Sequence, residues 1–283
     1  MDGWFEIAAK ALVYAAALAA IGAGGLRRLL LPRLRGQVEH DVLLHNFVRA
    51  DRALVVAAAG CVVGLLLRAW AHTVAAFGLA DASSWSNFKL IAFESQWGSG
   101  WQLQAAASVL LLVAAFWALR GPRSGGALTC ICLVILCLAV PQTGHAAEHS
   151  LRVFVHAVHV LAGGLWIGTL AVAIVATSAD IRLHALRAFA PIAVAGVALM
   201  WLSGLTATFL YLGPLSNLWT TDYGRRLLLK VATVAVALAI GSMNWRALHR
   251  GSGHGDDRLP TLEASVGLII VLLTAWLTET AHP

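Results

Sequence analysis

Charged residues are scarce in this chain of 283 residues, where Asp, Glu, Lys and Arg together make up 12% and hydrophobic residues 59%. Apolar runs of about 20 residues recur along the whole length, which is long enough for a helix to cross a bilayer. Backbone groups in lipid must be hydrogen-bonded within the segment itself, so each run should be an α-helix. The composition therefore excludes an ordinary soluble domain and predicts an all-α polytopic membrane protein.

Enzyme motifs and reactive residues are also sparse. The chain contains no nucleotide-binding loop, nucleophile elbow or HExxH sequence, so we expect a transporter rather than an enzyme. All four cysteines lie in apolar runs, which excludes a disulfide framework in an exported loop. Cys130, Cys132 and Cys137 could provide a path for a soft metal ion, or could be small buried apolar residues.

Eight transmembrane helices are predicted, joined by short polar loops. Their predicted bounds are 4–26, 53–79, 100–119, 126–142, 151–177, 186–212, 226–247 and 261–280. Asp2 and Glu6 make the start of the first run acidic, whereas a secretory signal begins with a basic segment. We therefore expect no cleaved signal peptide.

Basic residues are distributed unevenly between the two sides of the predicted membrane. Thirteen arginines fall in or beside the loops after the first, third, fifth and seventh helices, against four basic residues on the other side. The positive-inside rule then places both termini outside, and a bacterial inner membrane with periplasmic termini is the simplest location. Because topology explains the basic residues, the net charge of +6 does not indicate nucleic acid binding, and the expected surrounding is the lipid bilayer.

Two loop-to-helix junctions are alike. Residues 95–104, SQWGSGWQLQ, lead into the third helix, and residues 221–230, TDYGRRLLLK, lead into the seventh. Each has a hydroxyl residue, then an aromatic residue and a glycine, and each ends in a leucine and a long polar side chain. This internal repeat predicts two four-helix units, residues 1–142 and 143–283, related in parallel by an axis along the membrane normal.

Four histidines cluster at the start of the predicted fifth helix. A continuous helix with about 100° per residue would place them within an arc of about 80°, with Glu148 and Arg152 in or beside that arc. They are His145, His149, His156 and His159. Ionisable groups inside a membrane are costly, so this face is a candidate functional site, with helix–helix hydrogen bonding as the alternative.

The deeper pair, His156 and His159, are i, i+3 neighbours in the outer leaflet, so both rings can reach one metal centre. Neutral imidazole is a ligand for copper, zinc and haem iron. The upper two histidines, with Glu148 between them, would form a capture site near the surface or a solvated helix start. His72, at the end of the second helix, would add a ligand from another helix.

Three further polar residues in the predicted membrane region need partners, since an unpaired polar group there is costly. Glu263 and Asn244 are both near the cytoplasmic edge and could bond each other. Lys230 lies about one turn inside the outer surface, where it could extend to the headgroups or pair with Glu279.

Parts of the second half resemble a known family. Residues 156–168, HAVHVLAGGLWIG, resemble the H-x-x-H, small, W-x-G signature of the CopD/PcoD copper-resistance family of bacterial inner-membrane proteins. Residues 223–230, YGRRLLLK, are similar to that family's YGxxLLxK segment, and residues 244–246 and 262–263 resemble its NR and LE positions. These segments occur in the family's order.

The resemblance implies a copper-binding permease that moves a copper ion inward across the inner membrane, beside a periplasmic copper-binding partner of the CopC type. It also implies roles for His156, His159 and residues 223–230. Copper pathways often use methionine, but this chain has only Met1, Met200 and Met243. A pathway must therefore be built from His, Cys and carboxylate.

Two other functions stay open. Paired histidines on membrane helices also hold haem b, and the His and Trp-Gly pattern of the fifth helix resembles haem-binding membrane proteins involved in porphyrinogen oxidation. His72 with His156 or His159 would then be the axial pair of an electron carrier or a cupric reductase. The small residues of 163–168 would either leave room for a porphyrin or let helices approach. The third function is an assembly factor or scaffold without a metal.

Overall fold

The computed structural model describes residues 2–120, 124–144, 147, 149–249 and 258–280. These residues form eleven α-helices, with short π-helical and 3₁₀ turns between some of them. The helices are α1 (Asp2–Gly25), α2 (His40–Phe77), α3 (Trp85–Lys89), α4 (Gln96–Arg120), α5 (Ser124–Ala139), α6 (Ser150–Gly163), α7 (Thr169–Ala176), α8 (Ala179–Tyr211), α9 (Asn217–Thr220), α10 (Asp222–His249) and α11 (Arg258–Leu277). Apart from an isolated bridge between Arg35 and Val38, the described residues contain no β-structure, which confirms the predicted all-α class.

Eight helical segments of the described residues are long and apolar enough to cross a membrane, so the protein is a polytopic membrane protein, as predicted. Spans 1 to 8 are Gly3–Leu34, His40–Phe77, Gln96–Arg120, Gly126–Thr143, Ser150–Ala176, Ala179–Tyr211, Asp222–Leu248 and Arg258–Leu277. Ion pairs join Lys10 to Glu279 and Glu6 to His72, so the start of span 1 lies beside the ends of spans 8 and 2. We call this end of the bundle the outer end, after the predicted orientation.

Two helices begin seven or more residues earlier than hydropathy predicts. Span 2 begins at His40 rather than at residue 53, and span 6 begins at Ala179 rather than at residue 186. Both extensions carry charged residues, and Asp51 in the first of them accepts a hydrogen bond of 2.9 Å from Arg27. Hydropathy registers only the part of a helix that lies in hydrocarbon, so it misses helical turns that continue into water. His45 therefore lies on a helix, although it precedes the predicted start of the second span.

Span 1 packs against spans 2, 5 and 8. Its contact with span 5 is backbone to backbone, because a methyl group on Gly22 would collide with the backbone of Gly168, and one on Gly168 would collide with the carbonyl of Leu18. This contact lies in a π-helical turn, Gly164–Gly168. The small residues of this segment were predicted either to pack helices or to accommodate a porphyrin. Two of them, Gly164 and Gly168, pack against span 1.

The two similar junctions share the same hydrogen bonds. Ser95 Oγ donates to the carbonyl of Ile91 at 2.6 Å and accepts from the amide of Gly98 at 2.9 Å. Thr221 Oγ1 donates to the carbonyl of Asn217 at 2.7 Å and accepts from the amide of Gly224 at 3.0 Å. In both places the hydroxyl joins a preceding short helix to the first turn of a span. The division into units 1–142 and 143–283 remains a prediction.

Candidate functional site

A cavity of about 460 Å³ lies between spans 1, 5, 6, 7 and 8, in the outer half of the bundle. Most of its lining side chains are apolar. Its titratable lining residues are Lys10, Tyr14, His156, His159, Tyr211, Tyr223 and Lys230. The described lining includes no carboxylate and no cysteine, so its metal-ligating side chains are the two imidazoles and the thioether of Met200.

His159 is held in a defined orientation by span 6. Its Nδ1 lies 3.0 Å from Ser203 Oγ, and that hydroxyl donates its proton to the carbonyl of Leu199 at 2.7 Å. Ser203 Oγ therefore accepts from His159, which places the ring proton on Nδ1 and leaves the Nε2 lone pair for a ligand. A methyl group on Gly204 would lie 3.3 Å from the ring, which would have to shift by a few tenths of an ångström to accommodate it.

His156 lies one turn nearer the outer end and is half-buried. Its ring centroid is 5.4 Å from that of Tyr211, at the end of span 6. The guanidinium carbon of Arg152 lies 4.8 Å from the centroid of the same tyrosine ring. The predicted polar residue Arg152 thus contacts the aromatic ring that adjoins His156. The structure brings both predicted histidines to one cavity, as i, i+3 geometry requires.

The upper histidine that the structure describes, His149, is not on the same helix as the deeper pair. Helix α6 begins at Ser150, and His149 precedes it with an extended backbone, so the predicted continuous four-histidine face is wrong. The preceding span already ends in a 3₁₀ turn at Thr143, which breaks the helical periodicity on which that prediction depended. His149 is exposed, and His145 and Glu148 lie outside the described residues.

His72 is not brought to the cavity. Its Nδ1 lies 2.6 Å from Glu6 Oε1, and its ring stacks on Trp97 at a centroid distance of 4.3 Å. It is not among the described residues that line the cavity with His156 and His159. The axial haem pair that was predicted to use His72 is therefore not assembled in this structure.

The predicted cysteine path does not reach the cavity either. Cys132 is buried in the main core, Cys137 packs with Ile21 and Ala157, and Cys130 is half-buried. None of the three is among the described cavity-lining residues. In this structure Cys132 and Cys137 are packed as small apolar side chains, which was the alternative prediction.

Lys230 and Glu279 do not pair. Lys230 lines the cavity, whereas Glu279 forms its ion pair with Lys10 on span 1. Within the described part of the chain, Lys230 makes no hydrogen bond or ion pair. Lys10 was not predicted as a site residue, although a lysine inside an apolar run is a signal that the sequence contains. In the structure Lys10 is only 4% exposed.

Glu263 joins three spans below the cavity. It is buried, accepts a hydrogen bond of 3.0 Å from Trp166 Nε1, and lies 3.5 Å from Asn244 Nδ2 through its other carboxylate oxygen. The structure thus places the predicted partners Glu263 and Asn244 together and adds Trp166. Since Trp166 also lines the cavity, the indole connects the cavity to this buried carboxylate.

Glu6, near the outer end, was not predicted as a partner of any site residue. Glu6 pairs with His72, and the buried Arg68 donates to Thr143 Oγ1 at 2.5 Å. Glu6, Lys10 and Tyr14 are spaced four residues apart and therefore share one face of α1, a pattern that could have been read from the sequence. Ser203 could not have been found in this way, because its partner is 44 residues away.

No group of three or more His, Cys, Asp or Glu side chains among the described residues is arranged to hold a metal ion. The cavity instead offers two imidazoles on one helix face, one of them oriented by Ser203. Such a pair suits a soft or borderline ion with few ligands better than a hard ion that needs many oxygens.

Comparison with known proteins identifies the family. The model for the N-terminal domain of copper resistance protein D-like proteins matches residues 1–152, and the copper resistance protein D model matches residues 183–281. The chain belongs to the copper resistance protein D family. It is therefore a copper-related membrane protein.

One similar protein is the copper transport protein CutJ of Bacillus subtilis (strain 168), 28% identical over 205 residues. The match covers 68% of this chain but only 38% of that protein. No solved structure matches the chain.

Proposed function

We propose that the protein is a permease that carries copper across a bacterial inner membrane, taking it from the periplasmic side through the cavity. His156 and His159 are its ligands. The observation that carries this proposal is that both imidazoles line one cavity in the outer half of the bundle. Membership of the copper resistance family supports copper as the metal, and the similarity to a copper transport protein supports transport as the function.

The chemistry of the two side chains supports copper as the substrate. Neutral imidazole binds copper in both common oxidation states. Ser203 holds His159 with its Nε2 lone pair available, and outer-shell hydrogen bonds of this kind orient a ligand and raise its basicity. A site of two imidazoles without a carboxylate or thiolate binds an ion weakly enough to release it again, which transport requires.

The deep end of the cavity suggests where copper goes next. Trp166 lies seven residues beyond His159, about 10 Å further along the helix axis. Its indole bonds Glu263, the first buried carboxylate on that side. In this proposal both termini are periplasmic, a CopC-type protein delivers copper to the outer end, and Glu263 lies on the path of release.

Copper titration of the purified protein tests the proposal. The wild-type protein should bind copper in competition with a chelator of known affinity, and His156→Ala with His159→Ala should weaken binding at least 100-fold. The matched control is His45→Ala with His184→Ala, which removes two exposed imidazoles outside the cavity and should change nothing. Equal affinity of the wild type and the cavity variant, or loss in both variants, would reject the site.

A further inference from the structure

We propose that the cavity also binds an anionic amphiphile, a molecule with a carboxylate or phosphate head and an apolar chain, which enters from the bilayer between spans 6 and 7. Lys230 contacts its head. This ligand is distinct from copper, and its binding does not depend on the copper site being correct.

The size and lining of the cavity point to an organic molecule. The cavity has a volume of about 460 Å³, which is typical of cavities that enclose small organic ligands. A single ion bound by two imidazoles would occupy only a small fraction of that volume. Side chains such as Leu227, Val234 and Ile270 make most of its wall apolar. A large apolar space inside a membrane protein suits a hydrocarbon chain, since water there would find few hydrogen-bond partners.

The charge of the lining selects the head group. Lys10 is neutralised by Glu279, but Lys230 has no hydrogen bond or ion pair within the described residues. The described lining carries no carboxylate that could serve as its partner. An unpaired ammonium at this depth, about 12 Å from the start of α10, is costly unless it meets an anion. A bound carboxylate or phosphate would supply that anion.

The cavity opens toward the bilayer between spans 6 and 7, where lining residues of the two spans lie at the same depth in the membrane. Trp201 and Leu205 on span 6 and Leu228 and Val231 on span 7 line it, yet each is between 41% and 54% exposed. These four side chains therefore lie at an opening between spans 6 and 7 that faces the hydrocarbon of the bilayer. An amphiphile in the outer leaflet could enter there without crossing water.

Fluorescence quenching measures this binding without copper. The protein is reconstituted in phosphatidylcholine vesicles and titrated with 9,10-dibromostearate, whose bromine atoms quench nearby tryptophans such as Trp201. We expect a saturable component of quenching with the acid, and a half-saturation concentration at least tenfold higher with its neutral methyl ester. The saturable component should shrink in Trp201→Phe. Quenching that never saturates, or is equal for acid and ester, would overturn the proposal.

Variants of the lysine provide the second test. Lys230→Met should raise the half-saturation concentration at least tenfold, Lys230→Arg should retain binding, and Lys89→Met should match the wild type because Lys89 is an exposed residue paired with Glu94. Wild-type affinity in Lys230→Met would overturn the proposal, with helix content measured to confirm folding. Competition by oleate alone assigns a free fatty acid, and competition by dioleoyl phosphatidic acid alone assigns a phospholipid. Failure of both to compete would also overturn it.

Discussion

The indole nitrogen of Trp166 lies 3.0 Å from Oε1 of Glu263, and this hydrogen bond ties the π-helical turn of span 5 to the first turns of span 8. Asn244 on span 7 approaches the other carboxylate oxygen. A π-helical turn changes the direction in which side chains point, and such turns are frequent at functional sites. Here it places the indole between the cavity and a buried carboxylate.

Removing the indole donor should destabilise the protein. Trp166→Phe leaves a buried oxygen of Glu263 without its partner, which costs about 1–3 kcal/mol. We expect the thermal midpoint in detergent, followed by loss of helical circular dichroism, to fall by several degrees. Trp201→Phe, at the exposed edge of the cavity, is the control and should change the midpoint far less. Equal midpoints for the two variants would show that the hydrogen bond contributes little.

Ser203→Ala should weaken copper binding without unfolding the protein. The substitution removes the acceptor that fixes the ring proton of His159 on Nδ1. Loss of such an outer-shell partner typically costs about 10–100-fold in metal affinity. A chelator competition titration measures the change, with Thr208→Val on the same helix as the control, because that hydroxyl bonds only its own helix backbone. An unchanged affinity in Ser203→Ala would contradict the orienting role.

Gly168→Ala should disturb the contact between spans 1 and 5. The new methyl group would meet the backbone of Leu18, which cannot rotate away as a side chain can. Overpacking of this kind costs about 1–3 kcal/mol. Gly3→Ala is the control, since a methyl group there has nothing within 4 Å. A thermal midpoint for Gly168→Ala at or above that of the control would mean that the two spans separate easily.

Charge exchange tests the pair between Lys10 and Glu279. Lys10→Glu places two carboxylates together beside the cavity, and breaking a buried pair costs about 3–5 kcal/mol. The lower part of that range applies here, because the Glu279 side chain is 32% exposed. We expect poor yield and a lowered thermal midpoint in the single variant, and partial recovery when Glu279→Lys is added. A double variant no better than the single one would show that the two charges act separately.

The sequence was sufficient to predict the eight spans, because hydropathy and length decide which segments cross a bilayer. It also predicted that His156 and His159 face one cavity, since helical periodicity fixes which side of a continuous helix they share. The same periodicity failed for His149, where it was extended past a helix start that depends on the local backbone. Periodicity works only within a helix whose ends are known.

Pairings across long sequence distances were the part that sequence reasoning missed. Lys10 meets Glu279, and His72 meets Glu6, because spans 1, 2 and 8 come together at the outer end. Composition and spacing contain no information about which spans are neighbours. The assignment of His72 to the metal site failed for this reason, since the charge nearest to it belongs to α1.

The X-ray absorption spectrum of the copper-loaded protein tests the central claim most directly, because it reports the atoms bound to the metal. We expect scattering from two imidazole rings and no sulfur shell, with the imidazole signal lost in the variant that lacks His156 and His159. A sulfur shell in the wild-type spectrum, or imidazole scattering that survives in that variant, would contradict the claim that copper binds at the cavity histidines.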